Sequence, residues 1–234
     1  MSIEKKRSFP TYQDSNSIEY PPNEKEVSNS IKKFYKSNIP IEIVGSESKK
    51  GIGRPLQCGK TLSLSKLNGI IEYLPEELYI KVKAGTKIDK IENELKKNKQ
   101  QLAFEPIDFG YLFLGKSNCG TAAGQVACNI SGPRRFKAGS VRDHILGFRA
   151  VNGRGEIIKS GGTVVKNVTG YDLSKLICSS YGTLAAITEI TFKVLPAADQ
   201  SKTLVIHNLS VDYAPEYLNK AISSSNDISG ASFL

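Results

Sequence analysis

The chain has no tryptophan, one methionine and only two histidines in 234 residues. With His144 and His207 alone, any mechanism needing several imidazoles must take them from another chain. Cysteine is equally sparse: Cys58, Cys119, Cys128 and Cys178 lie far apart and form no C-x-x-C pair. That spacing excludes a disulfide framework and a zinc or iron–sulfur site, and leaves reduced, mostly buried thiols. No apolar run approaches the ~20 residues that cross a bilayer, and residues 1–7 lack the apolar stretch of a secretory signal. A cytoplasmic protein that does not span a membrane is the expectation.

What is present suffices for a real core, since 39% of residues are apolar and the length allows one large domain or a domain and a half. The formal net charge is +9. Its lysines fall on solvated stretches such as residues 96–99, and no basic patch is interleaved with aromatics, so a nucleic-acid partner is not expected. A field that draws in small anions or nucleotides fits the same charge.

Along the chain, residues 1–20 are polar and unpatterned and read as a loose arm. Asn23 and Glu26 then open a helix in capping-box fashion, with Val27, Ile31, Phe34 and Tyr35 on one stripe. A strand over 40–44 runs into the small, polar and basic loop of residues 45–55, a candidate anion cradle. Strands follow at 61–64, 70–73 and 79–84, then a helix capped by Thr86 with Ile88, Ile91 and Leu95 on its buried face. A first lobe closes near residue 104. The second lobe, 105–196, carries strands at 148–151 and 156–159 around the hairpin signal Asn152-Gly153-Arg154-Gly155. A short helix at 173–178 and a strand over 188–195 complete it. Beyond residue 196 the pattern predicts a strand at 203–206, a helix around 217–222 and the start of another strand near 232. A third lobe, cut short or completed by a partner, is the expectation for residues 197–234.

Gly110 to Ser117 matches the P-loop pattern G-x-x-x-x-G-K-S letter for letter. The match is rejected, because no apolar strand precedes it and its interior holds Tyr111, Leu112, Phe113 and Leu114 where small residues must let N–H groups reach phosphate. The dinucleotide pattern G-x-G-x-x-G is also missing, since Arg54-Pro55 follows Gly51-Ile52-Gly53. Residues 120–129, in contrast, place Gly or Ala at nearly every point of approach. Such a turn into a helix N-terminus either offers bare N–H groups to a pyrophosphate or serves tight helix packing.

Three more stretches follow in order: 139–147 with Ser140-Val141-Arg142-Asp143, 166–173 with Asn167-Val168-Thr169-Gly170-Tyr171-Asp172, and 180–189 with Tyr181-Gly182-Thr183-Leu184. Together with 120–129 they resemble the FAD-binding domain shared by the vanillyl-alcohol oxidase and p-cresol methylhydroxylase family. Within it, Gly132-Pro133-Arg134-Arg135 and its neighbours look most like the FAD-binding subunits of bacterial glycolate oxidases. The likeness covers about residues 22–196. It implies an α+β, two-lobed FAD-binding domain followed by a truncated α+β cap, and an FAD-dependent oxidoreductase acting on the CH–OH group of a small 2-hydroxy acid.

The resemblance also implies the site. Gly45, Ser46, Glu47, Ser48 and Lys49 would make one pyrophosphate contact, and Thr121, Ala122, Gly124 and Ala127 a second. Asn129, Ser131, Gly132, Ser140 and Asp143 would line the cofactor channel, with Ile187 and Thr188 at the isoalloxazine. A carboxylate at Glu47 is unfavourable there unless Lys49 or Lys50 offsets it. No His or Cys lies in residues 45–55 to attach a flavin, so FAD is expected to be non-covalent. His144 reads as a packing residue rather than a base; Arg134 and Arg135 face an anion, another subunit or solvent. The implied partners are a homologous flavoprotein subunit and an iron–sulfur subunit, with membrane contact only peripheral, at the inner face and through that complex. No catalytic residue is assigned and no metal is expected. The chain is then either a catalytic flavoenzyme or a flavin-holding and electron-transfer subunit whose partner does the chemistry.

Overall fold

The computed structural model describes residues 17–53, 56–162 and 171–233. The P-loop-like stretch and the 120–129 segment fall inside these ranges, whereas Arg54, Pro55 and most of the 166–173 motif lie outside the described residues.

The first strand, β1 (Ile18–Glu19), pairs in parallel with Thr61 and Leu62, so the arm expected through residue 20 already gives way to structure at Ile18. Helix α1 (Glu24–Lys36) starts as its sequence predicts, with the Glu26 N–H donating to Asn23 Oδ1 at 2.9 Å. Its Val27, Ile31 and Phe34 are buried. Next come β2 (Ile41–Val44), β3 (Lys60–Ser63), β4 (Ile70–Leu74) and β5 (Tyr79–Lys83). Helix α2 (Ile88–Lys97) buries Ile88, Ile91 and Leu95, but Thr86 does not cap it. The Thr86 hydroxyl instead donates to the carbonyls of Gly69 and Lys83, and Lys87 stands at the cap position.

The second half holds β6 (Gln100–Gln101), α3 (Gly110–Leu114), α4 (Ala122–Cys128), α5 (Arg135–Ala138), α6 (Val141–His144), β7 (Ile145–Asn152), β8 (Ile157–Gly161), α7 (Leu173–Ile177), β9 (Ala185–Lys193), β10 (Leu195–Pro196) and α8 (Ala214–Ile222). The hairpin forms where it was expected: Asn152 Oδ1 accepts the N–H groups of Arg154 and Glu156, and Gly155 takes φ +77°. The strand expected at 203–206 does not form; Leu204, Val205 and Ile206 are exposed, and no strand starts near residue 232. An apolar, β-branched run needs a neighbouring ladder to become a strand, and none borders it among the described residues.

Among the described residues the strands form three sheets. A parallel sheet runs β1-β3-β2, a small antiparallel pair joins β10 to β6, and an antiparallel sheet runs β4-β5-β9-β7-β8. The boundary expected near residue 104 is therefore not a division of the large sheet. β5 pairs with β9 from Tyr79↔Lys193 to Lys83↔Glu189, which knits the two halves of the sequence together.

One core cluster lies between this sheet, α2 and α4, and includes Ile80, Ile91, Leu95, Phe104, Val126, Ile190 and Phe192. A second, with Val27, Ile31, Leu62 and Leu64, joins α1 and the parallel sheet to Val151 and Ala186 of the large one. Burying each such side chain contributes about 1.5–3 kcal/mol. Ala123 touches both clusters, so α4 is wedged where the two sheets meet.

Candidate flavin site

β2 ends at Val44 and delivers the loop that starts at Gly45 directly against the segment that opens α4. A Cβ on Gly45 would stand 2.5 Å from Thr121 Oγ1, an approach only glycine permits. The Ser46 hydroxyl donates to the Cys119 carbonyl in a short contact, and Lys87 Nζ donates to the same oxygen at 3.1 Å. Gly45, Ser46 and Thr121, far apart in sequence, thus form one wall. Ser48 is buried behind it.

The turn into α4 is built differently from the row of bare N–H groups expected from its sequence. The Ala122 and Ala123 N–H groups donate to the carbonyls of Thr86 and Ala84, both at 2.9 Å. Gly124 carries the first helical N–H with no backbone acceptor among the described residues. These bonds come from the strand end that precedes α2, a neighbour that local sequence does not reveal.

Charge is distributed unevenly over the loop. Lys50 pairs with Glu42 at 3.1 Å and with Glu47 at 3.4 Å. Lys49 has no carboxylate within 4.0 Å among the described residues. Its Nζ lies 3.9 Å from where a Gly124 Cβ would stand. Burial pulls the Lys49 pKa down, with Cys128 and Asp108 acting weakly the other way.

At the other end of α4, roughly 10 Å away at 1.5 Å per residue, the expected channel residues form a polar clasp. Asn129 ends the helix at φ +49° and accepts the Arg142 N–H at 3.0 Å. Ser131 accepts the Val141 N–H, and Ser140 donates through both its N–H and its hydroxyl to Asp143 at 2.8 Å. Those two bonds, backbone first, hold the Asp143 carboxyl below its usual range. Gly132 donates its N–H to the Glu105 carbonyl at 2.9 Å, and a Cβ there would strike the Glu105 carboxylate. Glu105 was not foreseen: it sits at φ +54° and also accepts the Arg134 N–H, while Arg134 Nε lies 3.5 Å from it. A positive φ at Glu leaves no sequence signal, although strain of this kind clusters at functional sites.

Ile187 and Thr188 are not brought to this surface by their side chains. Ile187 is part of the core, and the Thr188 hydroxyl donates to Glu24 at 2.6 Å. His144 packs, as expected: it is buried, its Nε2 is 2.7 Å from the Ala138 carbonyl, and its ring lies against Phe104. Burial lowers its pKa. Arg135 is exposed, and the P-loop-like stretch is the helical turn α3 closed by Gly115 at φ +64°. A further concave feature is an apolar groove of 430 Å³ lined by Phe34, Tyr35, Ile41, Ile43 and residues 182–186. It runs along Ile41 and Ile43 of β2, the strand that leads into Gly45.

Comparison with known proteins gives a consistent picture. The FAD binding domain family matches residues 16–161. The chain is similar to the glycolate oxidase subunit GlcE of Escherichia coli (strain K12), with 44% identity over 165 residues, 70% of this chain and 45% of the relative. It is also similar to a D-lactate dehydrogenase of Anaerostipes hadrus, at 34% over 182 residues, 77% and 36%. The glycolate oxidase subunit GlcD of Bacillus subtilis (strain 168) matches at 30% over 218 residues, 92% and 44%. The chain thus spans less than half the length of these relatives. Among solved structures, an alkyldihydroxyacetonephosphate synthase shares the fold, with a TM-score of 0.63 at 23% identity over 78% of this chain and 32% of that one. No helix among the described residues is long and apolar enough to cross a membrane.

Proposed function

The chain belongs to the FAD binding domain family, and from that premise we propose that it is the flavin-holding subunit of a heteromeric oxidase of small 2-hydroxy acids such as glycolate. The observation that carries the reading is the glycine-only contact of Gly45 with Thr121 beside the uncompensated ammonium of Lys49. A wall of small residues next to a cation suits a diphosphate. Ser46, Gly124 and Ala127 would line that wall with Ser48 behind it, and the clasp from Asn129 to Asp143 lies at the far end of α4. The apolar groove continuing from β2 suits the adenine ring, which favours FAD over a mononucleotide.

FAD, when bound, supplies the acceptor for the hydride leaving the substrate α-carbon. This chain's part is to fix its position. Gly45 and Thr121 set the closest approach, Lys49 balances charge, and Ser131, Ser140 and Asp143 hold the clasp rigid through bonds to backbone. Glu47 shares the Lys50 ammonium with Glu42, which offsets part of its charge. Among the described residues neither histidine is poised to take a hydroxyl proton: His144 is committed to Ala138 and the core, and His207 is exposed on residues 201–210. That supports an assembly in which a second flavoprotein, and an iron–sulfur subunit downstream, complete the reaction. The relatives named as glycolate oxidase subunits support the same reading.

The test is dye reduction by the FAD-loaded chain with glycolate or D-lactate, alone and mixed with the homologous flavoprotein subunit. Turnover only in the mixture supports the proposal. Robust turnover by the chain alone makes it a self-sufficient dehydrogenase and overturns the subunit reading.

A further inference from the structure

We propose that α3 is a docking turn that seats this chain directly on an anionic lipid surface through its apolar tip. The inference is independent of the flavin reading above and gives the P-loop-like stretch a role.

The turn is unlike an ordinary stretch of surface. Residues 111–118 are exposed without a break, and the first four are large and apolar: Tyr111 is 79% exposed, Leu112 69%, and Phe113 and Leu114 40% each. Single apolar side chains on a surface need no explanation, but four in succession do. Nor is the turn slack. Its neck closes where Gly110 meets Cys119: a Cβ on Gly110 would stand 2.5 Å from Cys119 Cβ and 2.6 Å from the Lys116 carbonyl oxygen. Asp108 ties both sides of the neck, accepting the N–H groups of Gly110 at 2.9 Å and Cys119 at 3.4 Å. Phe113 braces the turn from within, its ring stacked 6.0 Å from that of Phe109 and set against Gly51. A turn fixed in advance loses little conformational freedom when its tip is covered.

The chemistry of the tip selects what covers it. Two aromatic rings and two leucines are followed, after the Gly115 cap, by Lys116, and residues 109–119 hold no carboxylate. Asp108, at the base, is spent on backbone. Such a set suits the boundary between water and lipid, where rings sit at headgroup depth and a lysine stem carries its ammonium back to the phosphates. The formal net charge of +9 adds attraction of the whole chain to an anionic surface. Five helical residues rise roughly 7.5 Å, which matches the ~5–10 Å to which interfacial elements sink. A protein partner must offer a cavity shaped to an exposed tip; a bilayer needs none.

The chain contains no tryptophan, so Leu112→Trp places a single reporter at the tip. With vesicles of phosphatidylcholine and phosphatidylglycerol its emission should move to shorter wavelength and the protein should sediment with the lipid, whereas phosphatidylcholine alone should bind much less. Tyr111→Ser/Leu112→Ser should lower partitioning about 10- to 100-fold, because two apolar side chains no longer leave water. Lys116→Gln should lower it about fivefold on the anionic vesicles and leave neutral ones unaffected. FAD uptake and melting temperature should stay at wild-type values in these variants, which separates loss of docking from loss of fold. Wild-type chain left in the supernatant with anionic vesicles, or emission unmoved by them, would overturn the proposal. Sedimentation undiminished in the double serine variant would do the same, since it puts the contact elsewhere. Absence of vesicle binding, with self-association or the complex with the flavoprotein subunit lost in that variant, would overturn it in favour of a protein partner.

Discussion

Adding a single methyl group at Gly45 probes the cradle where its geometry is tightest. The Gly45→Ala Cβ would stand 2.5 Å from Thr121 Oγ1, whereas the next atoms, Thr121 Cβ and Cγ2, are at 3.5 Å. Ordinary contact between such atoms is about 3.5 Å, so the loop and the start of α4 must separate by about 1 Å. Overpacking of this size costs about 1–3 kcal/mol. Gly45 is not at positive φ, so the effect is steric and not conformational. At about 2–4 °C per kcal/mol for a chain of this length, the melting temperature should fall by roughly 6 °C. If holding FAD costs the variant a further ~2 kcal/mol beyond the strain in the empty chain, binding weakens roughly thirtyfold. The rescue is built in: Thr121 stands at the cap of α4 without a side-chain capping bond, so Thr121→Ala removes the clashing oxygen at little cost. Isothermal titration of FAD and thermal melts of Gly45→Ala and Gly45→Ala/Thr121→Ala measure both. Unchanged affinity in the single variant, or no recovery in the double one, would refute the reasoning.

Glu24 ties α1 to the large sheet through Arg149 at 2.5, 3.1 and 3.2 Å and through Thr188. Burial raises its pKa, but the bonds from Arg149 and Thr188 outweigh that and leave it lowered. With Arg149 and Glu24 side chains still 33% and 19% exposed, Glu24→Ala should cost about 2 kcal/mol, and Arg149→Met in the same chain should add little further loss. Urea unfolding of the double-mutant cycle checks this, and full additivity would contradict it. His144 is held neutral in the fold because burial lowers its pKa, while the unfolded chain protonates it below about 6.5. Stability should therefore drop as pH falls from about 7 toward 5, and His144→Leu should lose that slope while costing about 1–2 kcal/mol for the stranded Ala138 carbonyl. An unchanged slope in His144→Leu would reject the assignment. Lys116→Ala should leave FAD binding intact, and the wild type should not hydrolyse ATP; ATP binding lost in the variant would revive the P-loop.

What the sequence carried well were features decided within a few residues. The Asn23 cap, the stripe on α2 and the Asn152 hairpin all came out where local chemistry put them. Failures trace to partners distant in sequence. Thr86 has a good capping side chain, but the Gly69 turn claims it. The N–H groups of Ala122 and Ala123 are bare in the sequence and bonded in the fold, because Ala84 and Thr86 happen to face them. The bond of the Thr188 hydroxyl to Glu24 likewise spans 164 positions and leaves no local signal. Residues 203–206 show that an apolar, β-branched run reports a demand for a partner strand and not the presence of one. The pairing of β5 with β9, which joins strands from both sides of the boundary expected near residue 104, is equally invisible locally.

The central claim is that the chain itself holds FAD, without a covalent bond, at the Gly45–Lys49 and Thr121–Gly124 cradle. Its most direct measurement is a titration of the purified chain with FAD, followed by acid precipitation and identification of the flavin in each fraction. The account predicts saturable binding of one FAD per chain and all of the flavin in the supernatant. A folded chain that takes up no FAD, or flavin that stays with the precipitated protein, would contradict it.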